Sequence, residues 1–347
     1  MIKQKIRPLI FNILSIINKI FPKNEKRIFF NDSVEIKDNQ YIFFEFLIKN
    51  KYNSKYKIKY FTKNINQYPT YIVDCGSLTT STIYGLYCMI RSKYVINAYG
   101  QTRFYCKVSK NQICIELWHG YGLKKIGYSI LPRTYYNMAD CFSHVIIPSE
   151  LFCEMIKKSW DISKEQIVIL GSPRNDLLLN EERRDTLTEF GINRKIYQKI
   201  IYFLPTYRNT KRFGFTAHKT EIPIFNENNI VNINDYLKKN SILLIIKLHH
   251  AASNEINFLQ MNYSNIIITN NRELDTKNIP FYTMLAQTDA LITDYSSVFQ
   301  DYLLINKPIG FVVDDLDDYL KVRGMNFENP LQLMPGHHIY NESDLYK

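Results

Sequence analysis

The chain has 347 residues, 46% of them hydrophobic and 22% charged, which is ordinary globular usage and excludes a disordered or fibrous protein. At roughly 100–200 residues per domain, this length predicts two domains. The 44 basic residues against 33 acidic ones give a net charge of +11. This charge favours an anionic partner, which could be a phosphorylated ligand, a membrane surface or a nucleic acid.

The first 25 residues predict an amphipathic helix. Apolar residues recur at helical spacing from Ile6 to Ile20, and lysines and Arg7 supply positive charge. Asn12 and Asn18 interrupt any stretch long enough to cross a bilayer, and the segment has no signal-type cleavage site. Two interpretations stay open: the helix lies in the interface of an anionic membrane, or it packs on the protein itself. The first predicts a peripheral protein on the cytoplasmic face of the cell membrane.

Short apolar strands alternate with helices along the rest of the chain. Strands are predicted at Arg27–Phe30, Lys57–Phe61, Tyr71–Val73, Tyr94–Ile96, Ile113–Leu117, His144–Ile147, Ile167–Leu170, Ile200–Leu204, Ile242–Leu248, Ile266–Ile268, Ala290–Thr293 and Ile309–Val313. Apolar strands separated by helices are typical of parallel sheets covered on both faces. The pattern predicts an α/β protein with two doubly wound domains, and the charged stretch Asn180–Lys199 suits the boundary. Ligands of such sheets bind beyond the carboxyl ends of the strands, so we expect the active site in a cleft between the domains.

The segment Glu116–Lys125 is the first candidate for chemistry. A strand runs into His119, whose ordinary pKa near neutrality suits a general base. Gly120 and Gly122 allow backbone amides to approach an anion, and Lys124 adds positive charge. The alternative is a turn histidine beside surface lysines.

Three further strand ends carry cations. Arg174 follows the strand at Ile167–Leu170 and could bind phosphate or belong to a capping network. Arg208 follows Ile200–Leu204, where the alternative is a surface arginine. Lys247 and His249 end the strand at Ile242–Leu248. Neighbouring residues of an extended chain point to opposite faces, so at most one of His249 and His250 serves the cleft.

The segment after Ala290–Thr293 predicts an anion site. The hydroxyls of Ser296 and Ser297 lie where a helix is expected to begin, which suits a diphosphate, although the same pattern is common in plain helix caps. Asp294 is predicted to cap the helix or to orient its neighbours.

Cofactor and metal motifs are weak. The chain has no P-loop, no G-x-G-x-x-G, no H-E-x-x-H and no C-x-x-C, so we predict no cofactor and no protein metal ligands. The acidic turn Asp314–Asp318 contains a D-x-D, which keeps a divalent metal open as the alternative to a solvated turn.

The order of these motifs resembles the CDP-glycerol glycerophosphotransferase family, the primases and polymerases of teichoic acids and related capsular polymers. The resemblance covers about residues 27–336 and rests on these segments: Asp38-Asn39-Gln40, Trp118-His119-Gly120, Gly171–Asp176, Pro205–Arg208, Lys247-Leu248-His249, Leu291–Asp314 and Arg323-Gly324. The chain departs from the family at Tyr121-Gly122, where Thr-Pro is usual, and at His249-His250, where His-Pro is usual. The first departure alters the loop nearest the acceptor.

The resemblance implies a GT-B-like architecture of two Rossmann-like domains facing a central cleft. Together with the amphipathic membrane-associating helix predicted at 1–25, the organisation is then an acceptor-side domain at 26–190 and a donor-nucleotide-binding domain at 191–347. It also implies transfer of glycerol phosphate, or a related alditol phosphate, from CDP-glycerol or CDP-ribitol to a hydroxyl of a lipid-linked polymer acceptor, with release of CMP.

The catalytic residues implied are His119, as general base, and His249, beside the donor pyrophosphate. With the residues singled out above, the predicted substrate-binding set is Gly120, Tyr121, Gly122, Lys124, Arg174, Arg208, Lys247, Ser296, Ser297, Asp301 and Arg323.

Two other functions compete. A GT-B glycosyltransferase that uses a nucleotide sugar for surface polysaccharide synthesis could have the same architecture. A basic nucleic-acid-binding module is disfavoured because the chain has no RNA-binding aromatic motif, zinc finger or run of basic residues in the cleft segments, and we therefore predict no nucleic-acid partner.

Overall fold

A computed structural model describes residues 2–32, 38–62, 72, 82–100, 106–130, 137–180, 184–206, 222–248 and 261–347. The chain divides into two compact units. The first comprises Met1–Tyr121 and Ile126–Arg174, and the second comprises Gly122–Lys125 and Asn175–Lys347. Each unit is built on one six-stranded sheet.

The first unit contains a parallel sheet with the strand order β2-β1-β3-β4-β5-β6. Its strands are β1 (Asn24–Asn31), β2 (Lys57–Phe61), β3 (Ser92–Asn97), β4 (Ile113–Glu116), β5 (His144–Ile147) and β6 (Ile167–Ile169). Its α-helices whose bounds lie within the described residues are α1 (Ile2–Ile20), α2 (Asn39–Lys49), α3 (Thr82–Arg91) and α4 (Cys153–Trp160). The chain places β2 on one side of β1 and β3 on the other, so the strand order reverses between β1 and β3. Such a reversal opens a crevice at the carboxyl ends of the strands.

The second unit has the order β12-β11-β10-β7-β8-β9, in which every neighbouring pair is parallel. Its strands are β7 (Lys199–Leu204), β8 (Ile242–Leu248), β9 (Ile266–Asn270), β10 (Ala290–Thr293), β11 (Ile309–Val312) and β12 (His337–Ile339). Its helices are α5 (Asp176–Leu179), α6 (Thr186–Phe190), α7 (Ile230–Lys239), α8 (Asn271–Thr276), α9 (Phe281–Ala286), α10 (Val298–Tyr302), α11 (Leu316–Val322) and α12 (Glu342–Leu345). This is the order of dinucleotide-binding folds, with the switch point between β7 and β10.

The second sheet is covered on both faces, because consecutive strand residues point to opposite sides. On β7, Tyr202 packs into one apolar core and Phe203 into the other. Both side chains are fully buried. The α/β class with two doubly wound sheets, predicted from apolar strands and intervening helices, is confirmed.

Residues 175–180 and 184–190 belong to the second unit and pack with its sheet. Leu178, Leu187 and Phe190 are buried in the same core as Tyr202. Leu123, from the short segment Gly122–Lys125, is fully buried there as well.

Helix α1 has two different faces. Phe11 and Asn18 are buried, and the Asn18 side-chain amide donates to the Lys107 carbonyl and the Gln112 side chain, each at 2.9 Å. The opposite face is exposed and apolar, and consists of Leu9, Ile10, Ile13, Ile16 and Ile20. The helix therefore packs on its own unit with one face and leaves an apolar face uncovered. No helix of the described residues combines the length and apolarity needed to cross a bilayer.

Candidate active site

His119 lies just beyond the carboxyl end of β4 in the first unit. Its ring nitrogen Nδ1 is 3.1 Å from the backbone carbonyl oxygen of Ala98, the first residue after β3. A carbonyl can only accept, so Nδ1 carries the proton and Nε2 holds the lone pair of the neutral imidazole. The Tyr99 ring stacks on the imidazole, with centroids 4.5 Å apart and planes at 14°. The geometry presents His119 as a base with a fixed tautomer.

Burial lowers the pKa of His119 below its ordinary 6.5. The carbonyl bond to Ala98 and the Asp38 carboxylate oppose this change, while the Arg174 guanidinium adds to it. His119 is therefore neutral at pH 7, which is the form that can accept a proton.

The backbone that carries His119 is held in an uncommon conformation. Trp118 has φ of +55°, in the left-handed region that residues with a side chain rarely adopt, and Gly120 has φ of +145°. Trp118 nevertheless keeps three partners: its N–H donates to Glu116 at 2.9 Å, its indole N–H to the Gly120 carbonyl at 2.8 Å, and its own carbonyl accepts from Asn39 at 2.7 Å. Such strained conformations persist where several surrounding contacts hold the backbone in place, and they are common at active sites.

Glu116 anchors the two loops that carry the histidine and its stacking partner. It is fully buried, and its carboxylate accepts the N–H of Trp118 and, at 3.0 Å, that of Gly100. Burial raises the pKa of Glu116 to about 8. The two backbone hydrogen bonds lower this pKa, but their effect is smaller than that of burial.

This buried carboxyl predicts a pH dependence of stability. Glu116 ionises near 4.5 when the chain is unfolded and near 8 when it is folded. Between pH 4.5 and 8 the folded protein binds a proton at Glu116 that the unfolded chain does not. The stabilisation that this proton gives the folded state is therefore complete below pH 4.5 and is lost as the pH rises through 8. We expect the free energy of unfolding to fall between pH 5 and 8, and Glu116→Gln to flatten that fall. Denaturant titrations at several pH values measure both. Glu154→Gln, at a side chain that is 84% exposed, serves as the control and should leave the slope unchanged.

Arg174, predicted to bind substrate, is buried in an ion pair. Its Nη1 lies 3.2 and 3.1 Å from the two carboxylate oxygens of Asp38 and donates to the His119 carbonyl at 2.7 Å. Only 6% of its side chain is exposed. The structure thus brings Arg174 to the backbone of the predicted base.

Tyr121, also predicted to bind substrate, is a buried anchor. Its hydroxyl donates to the carbonyl of Ile146 on β5, and its ring packs against Phe152. Since only 4% of Tyr121 is exposed, it fixes the end of the His119 loop in the first unit.

In the second unit, Asp294 joins the two strands that flank the switch point. It follows β10 directly, is fully buried, and accepts from the N–H of Thr206 at 2.7 Å and from its hydroxyl at 2.5 Å. Thr206 follows β7 by two residues. Asp294 therefore orients its neighbours, one of the two roles expected for it. Ser296 and Ser297 follow after the buried Tyr295 and are partly exposed.

A short backbone ladder brings other predicted residues to Ser297. Lys124 forms an isolated antiparallel bridge with Met325, and the Lys125 N–H donates to the Gly324 carbonyl at 3.2 Å. A Cβ placed on Gly122 would lie 3.5 Å from that of Ser297, so the two residues are in contact. Within the second unit, Gly122 thus lies beside Ser297, and Lys124 pairs next to Arg323-Gly324.

Lys247 and Asp301 lie by the two rings that begin α9. The Lys247 ammonium is 4.7 Å from the centroid of Phe281, and burial lowers its pKa to about 8 although Asp275 raises it. The Asp301 carboxylate accepts from the Tyr282 hydroxyl at 2.7 Å.

Two predicted residues, His249 and Arg208, lie outside the described residues. Within the described part of the chain, no three His, Cys, Asp or Glu side chains are grouped as a metal site requires. In the acidic turn, Asp315 accepts from the Tyr295 hydroxyl at 3.0 Å.

Sequence reasoning missed Tyr99, Glu116 and Tyr282 as partners of predicted site residues. Asp38 had a signal, because it begins the Asp38-Asn39-Gln40 pattern before a helix. Tyr99 could have been suspected from its place two residues beyond a strand.

The fold and site define a class: a two-unit α/β protein whose second sheet has the strand order of nucleotide-binding folds. Residues 13–347 match the family model described as CDP-glycerol:poly(glycerophosphate) glycerophosphotransferase. This match covers nearly the whole chain, which therefore belongs to that family of transferases.

Curated proteins similar in sequence to this chain include primases of teichoic acid synthesis. The teichoic acid glycerol-phosphate primase of Bacillus subtilis (strain 168) is 29% identical over 274 residues, which are 76% of this chain and 66% of the relative. The teichoic acid ribitol-phosphate primase of Bacillus spizizenii (strain ATCC 23059 / NRRL B-14472 / W23) is 28% identical over 247 residues, 65% of this chain and 58% of the relative. The chain thus spans about two thirds or less of the length of these two primases.

Among solved structures, the wall teichoic acid polymerase TagF is similar in fold. It superposes with a TM-score of 0.71 at 20% identity, covering 99% of this chain and 87% of that one. At this identity the likeness concerns the fold.

Proposed function

We propose that this protein transfers glycerol phosphate, or a related alditol phosphate, from a CDP-activated donor to a hydroxyl of a lipid-linked polymer acceptor and releases CMP. The reaction belongs to the synthesis of teichoic-acid-like or capsular polymers. The observation that carries the proposal is His119, whose Nδ1–H is committed to the Ala98 carbonyl and whose Nε2 holds a lone pair. Family membership supports the choice of a CDP-alditol donor.

The proposed base acts on the acceptor. A hydroxyl that attacks the phosphorus must lose its proton, and Nε2 of His119 can take it. The lowered pKa keeps this nitrogen unprotonated at neutral pH. His249, the second predicted catalytic residue, is proposed to lie beside the donor pyrophosphate.

The proposed donor site is at the switch point of the second unit. The leaving CMP gains negative charge, which hydroxyls and cations can stabilise when they are held in place before the reaction. Ser296 and Ser297 follow β10, and Lys124 and Arg323 flank the ladder beside Ser297. Arg208, Lys247 and Asp301 complete the proposed donor set. These cations lead us to expect turnover without a divalent metal.

The deciding experiment measures CMP release by the purified protein with CDP-glycerol or CDP-ribitol and a lipid-linked glycerophosphate acceptor, with and without EDTA. Acceptor-dependent release from either donor supports the proposal, and the faster donor identifies the alditol. Retained release in EDTA confirms the expectation about the metal. The absence of release from both donors, together with turnover of a nucleotide sugar, would favour the glycosyltransferase.

We also propose that α1 places the enzyme on an anionic membrane, where its acceptor is found. The exposed face of α1 is apolar over about three turns, and basic residues such as Arg7 and Lys19 accompany it. Helices of this composition lie in the plane of the interface, with the apolar face in the lipid.

Removing apolar side chains from this face should release the protein from lipid. Ile16 and Ile20 are 59% and 72% exposed. Burying an isoleucine contributes about 1.5–3 kcal/mol, so the double variant Ile16→Ser/Ile20→Ser should bind about 100-fold more weakly or worse. Flotation with phosphatidylglycerol-containing vesicles measures the bound fraction.

The matched control is Ile196→Ser/Val231→Ser in the second unit, at side chains that are 60% and 51% exposed. It removes similar exposed apolar surface and should float like the wild type. Equal binding by the two double variants would contradict the assignment of α1.

A further inference from the structure

A buried ion pair holds the backbone of His119. Arg174, which follows β6, reaches Asp38, which precedes α2, and its Nη1 lies within 3.2 Å of both carboxylate oxygens. The same nitrogen donates to the His119 carbonyl at 2.7 Å. The two side chains are 6% and 12% exposed, so the pair is shielded from water.

Each partner of the pair has further bonds. Asp38 accepts from the N–H of Asn39 at 2.8 Å, which caps α2, and from the Tyr99 hydroxyl at 3.1 Å. The Tyr99 ring is the one that stacks on the imidazole. Asn39 adds a second link, because its side-chain oxygen accepts the Arg174 N–H at 3.1 Å and its amide donates to Trp118. Asp38 thus holds both parts of His119: the carbonyl through Arg174 and the ring through Tyr99.

We propose that Asp38 and Arg174 are positioning residues for His119: Arg174 holds its carbonyl, and Asp38 holds its stacking partner Tyr99. This inference rests on the proposed role of His119 as the base. It gives Arg174 a role other than phosphate binding, because its Nη1 is engaged by Asp38 and by the His119 carbonyl.

The electrostatics agree with the geometry. The Asp38 carboxylate raises the pKa of His119 and the Arg174 guanidinium lowers it. The other titratable groups that the described elements bring to this region are Tyr99 after β3, Glu116 on β4 and Asp32 after β1, which acts on Tyr99. None of these groups is altered in the variants below.

The test is an NMR titration of the imidazole in the full chain. With histidine labelled, His119→Ala identifies the His119 signal among the seven histidines. Asp38→Asn, which keeps a good helix cap, should move the His119 midpoint to lower pH. Arg174→Met should move it to higher pH, and the double variant should fall between the two. A purely structural role would not produce shifts of opposite sign.

Kinetics supply a second readout. Loss of positioning should lower kcat about 10–100-fold for Arg174→Met, while the donor KM stays within about twofold. A donor-phosphate ligand would instead raise KM. Arg194→Met breaks another ion pair, with Asp289 at 2.6 Å in the second unit, and should change neither the His119 midpoint nor kcat.

The outcomes separate this inference from the proposed function. A midpoint that is the same in wild type, Asp38→Asn and the double variant overturns the positioning role, whether or not CMP is released. If the His119 midpoint shifts in opposite directions in the two single variants but the protein releases no CMP, the positioning role of the ion pair is supported and the proposed transfer reaction is not. If Arg174→Met does not fold, Asp38→Asn and the double variant, which leaves no unpaired buried charge, still decide the question.

Discussion

Replacing His119 with alanine is expected to lower kcat/KM for acceptor-dependent CMP release by about 10²–10⁴, the usual contribution of a positioned general base. Alanine removes both the proton acceptor at Nε2 and the bond to the Ala98 carbonyl. His119→Asn removes the acceptor but keeps an N–H that can reach the carbonyl. If proton abstraction is what matters, both variants lose activity to a similar extent.

The pH profile separates a base from a residue that only binds. Because burial lowers the pKa of His119 below 6.5, the acidic limb of kcat/KM should lie below pH 6.5. Activity falls there as the imidazole gains a proton, and it is constant through pH 7. In His119→Asn the residual rate should no longer show that limb.

The control for this experiment is His337→Asn. His337 also donates a ring N–H to a backbone carbonyl, that of Asp344 at 2.9 Å, but it lies exposed on β12 in the second unit. It should keep activity within about twofold of the wild type. Near-normal activity in His119→Ala would show that His119 is not the general base.

Strands were predicted well where most of their residues are apolar. The predicted and observed bounds coincide at Lys57–Phe61, His144–Ile147, Ile242–Leu248 and Ala290–Thr293. The three-residue strand β12 was missed because His337 and His338 carry no apolar signal and the strand is defined by its pairing with β11. Ile72, the one described residue of the strand predicted at Tyr71–Val73, is helical, so that prediction is wrong at this residue.

Site residues were predicted by type and place, but their partners were not. A cation or histidine after a strand is visible in the sequence, because the carboxyl ends of parallel strands share one edge of the sheet. The partner of Arg174 is Asp38, 136 residues away, and that of Tyr121 is Ile146 on another strand. Such pairings depend on sheet order and side-chain packing, which local patterns do not encode. The sequence left Arg174 open as a phosphate ligand or as part of a capping network, and it gave no sign that its Nη1 would bond to Asp38 and to the His119 carbonyl.

Replacing Asp294 with alanine is expected to weaken binding of CDP-glycerol at least tenfold. The buried carboxylate accepts both donors of Thr206 and so ties the loop after β7 to the segment that carries Ser296 and Ser297. Without it, the backbone N–H and the hydroxyl of the partly buried Thr206 lose a charged acceptor, which should also lower the free energy of unfolding by about 2–4 kcal/mol. Titration calorimetry and denaturant unfolding measure the two effects.

Thr293→Val distinguishes this orientation of the loop from a general loosening of the sheet. Thr293 is the preceding residue, is fully buried, and donates its hydroxyl to the Leu204 carbonyl at 2.8 Å, so it also links β10 to β7. Its loss should cost about 1 kcal/mol of stability and leave donor affinity nearly unchanged, because the loops beyond the strands keep their link through Asp294. If Asp294→Ala and Thr293→Val weakened donor binding equally, donor affinity would depend on the rigidity of the sheet. The link from Asp294 to the loop after β7 would then have no specific role in donor binding.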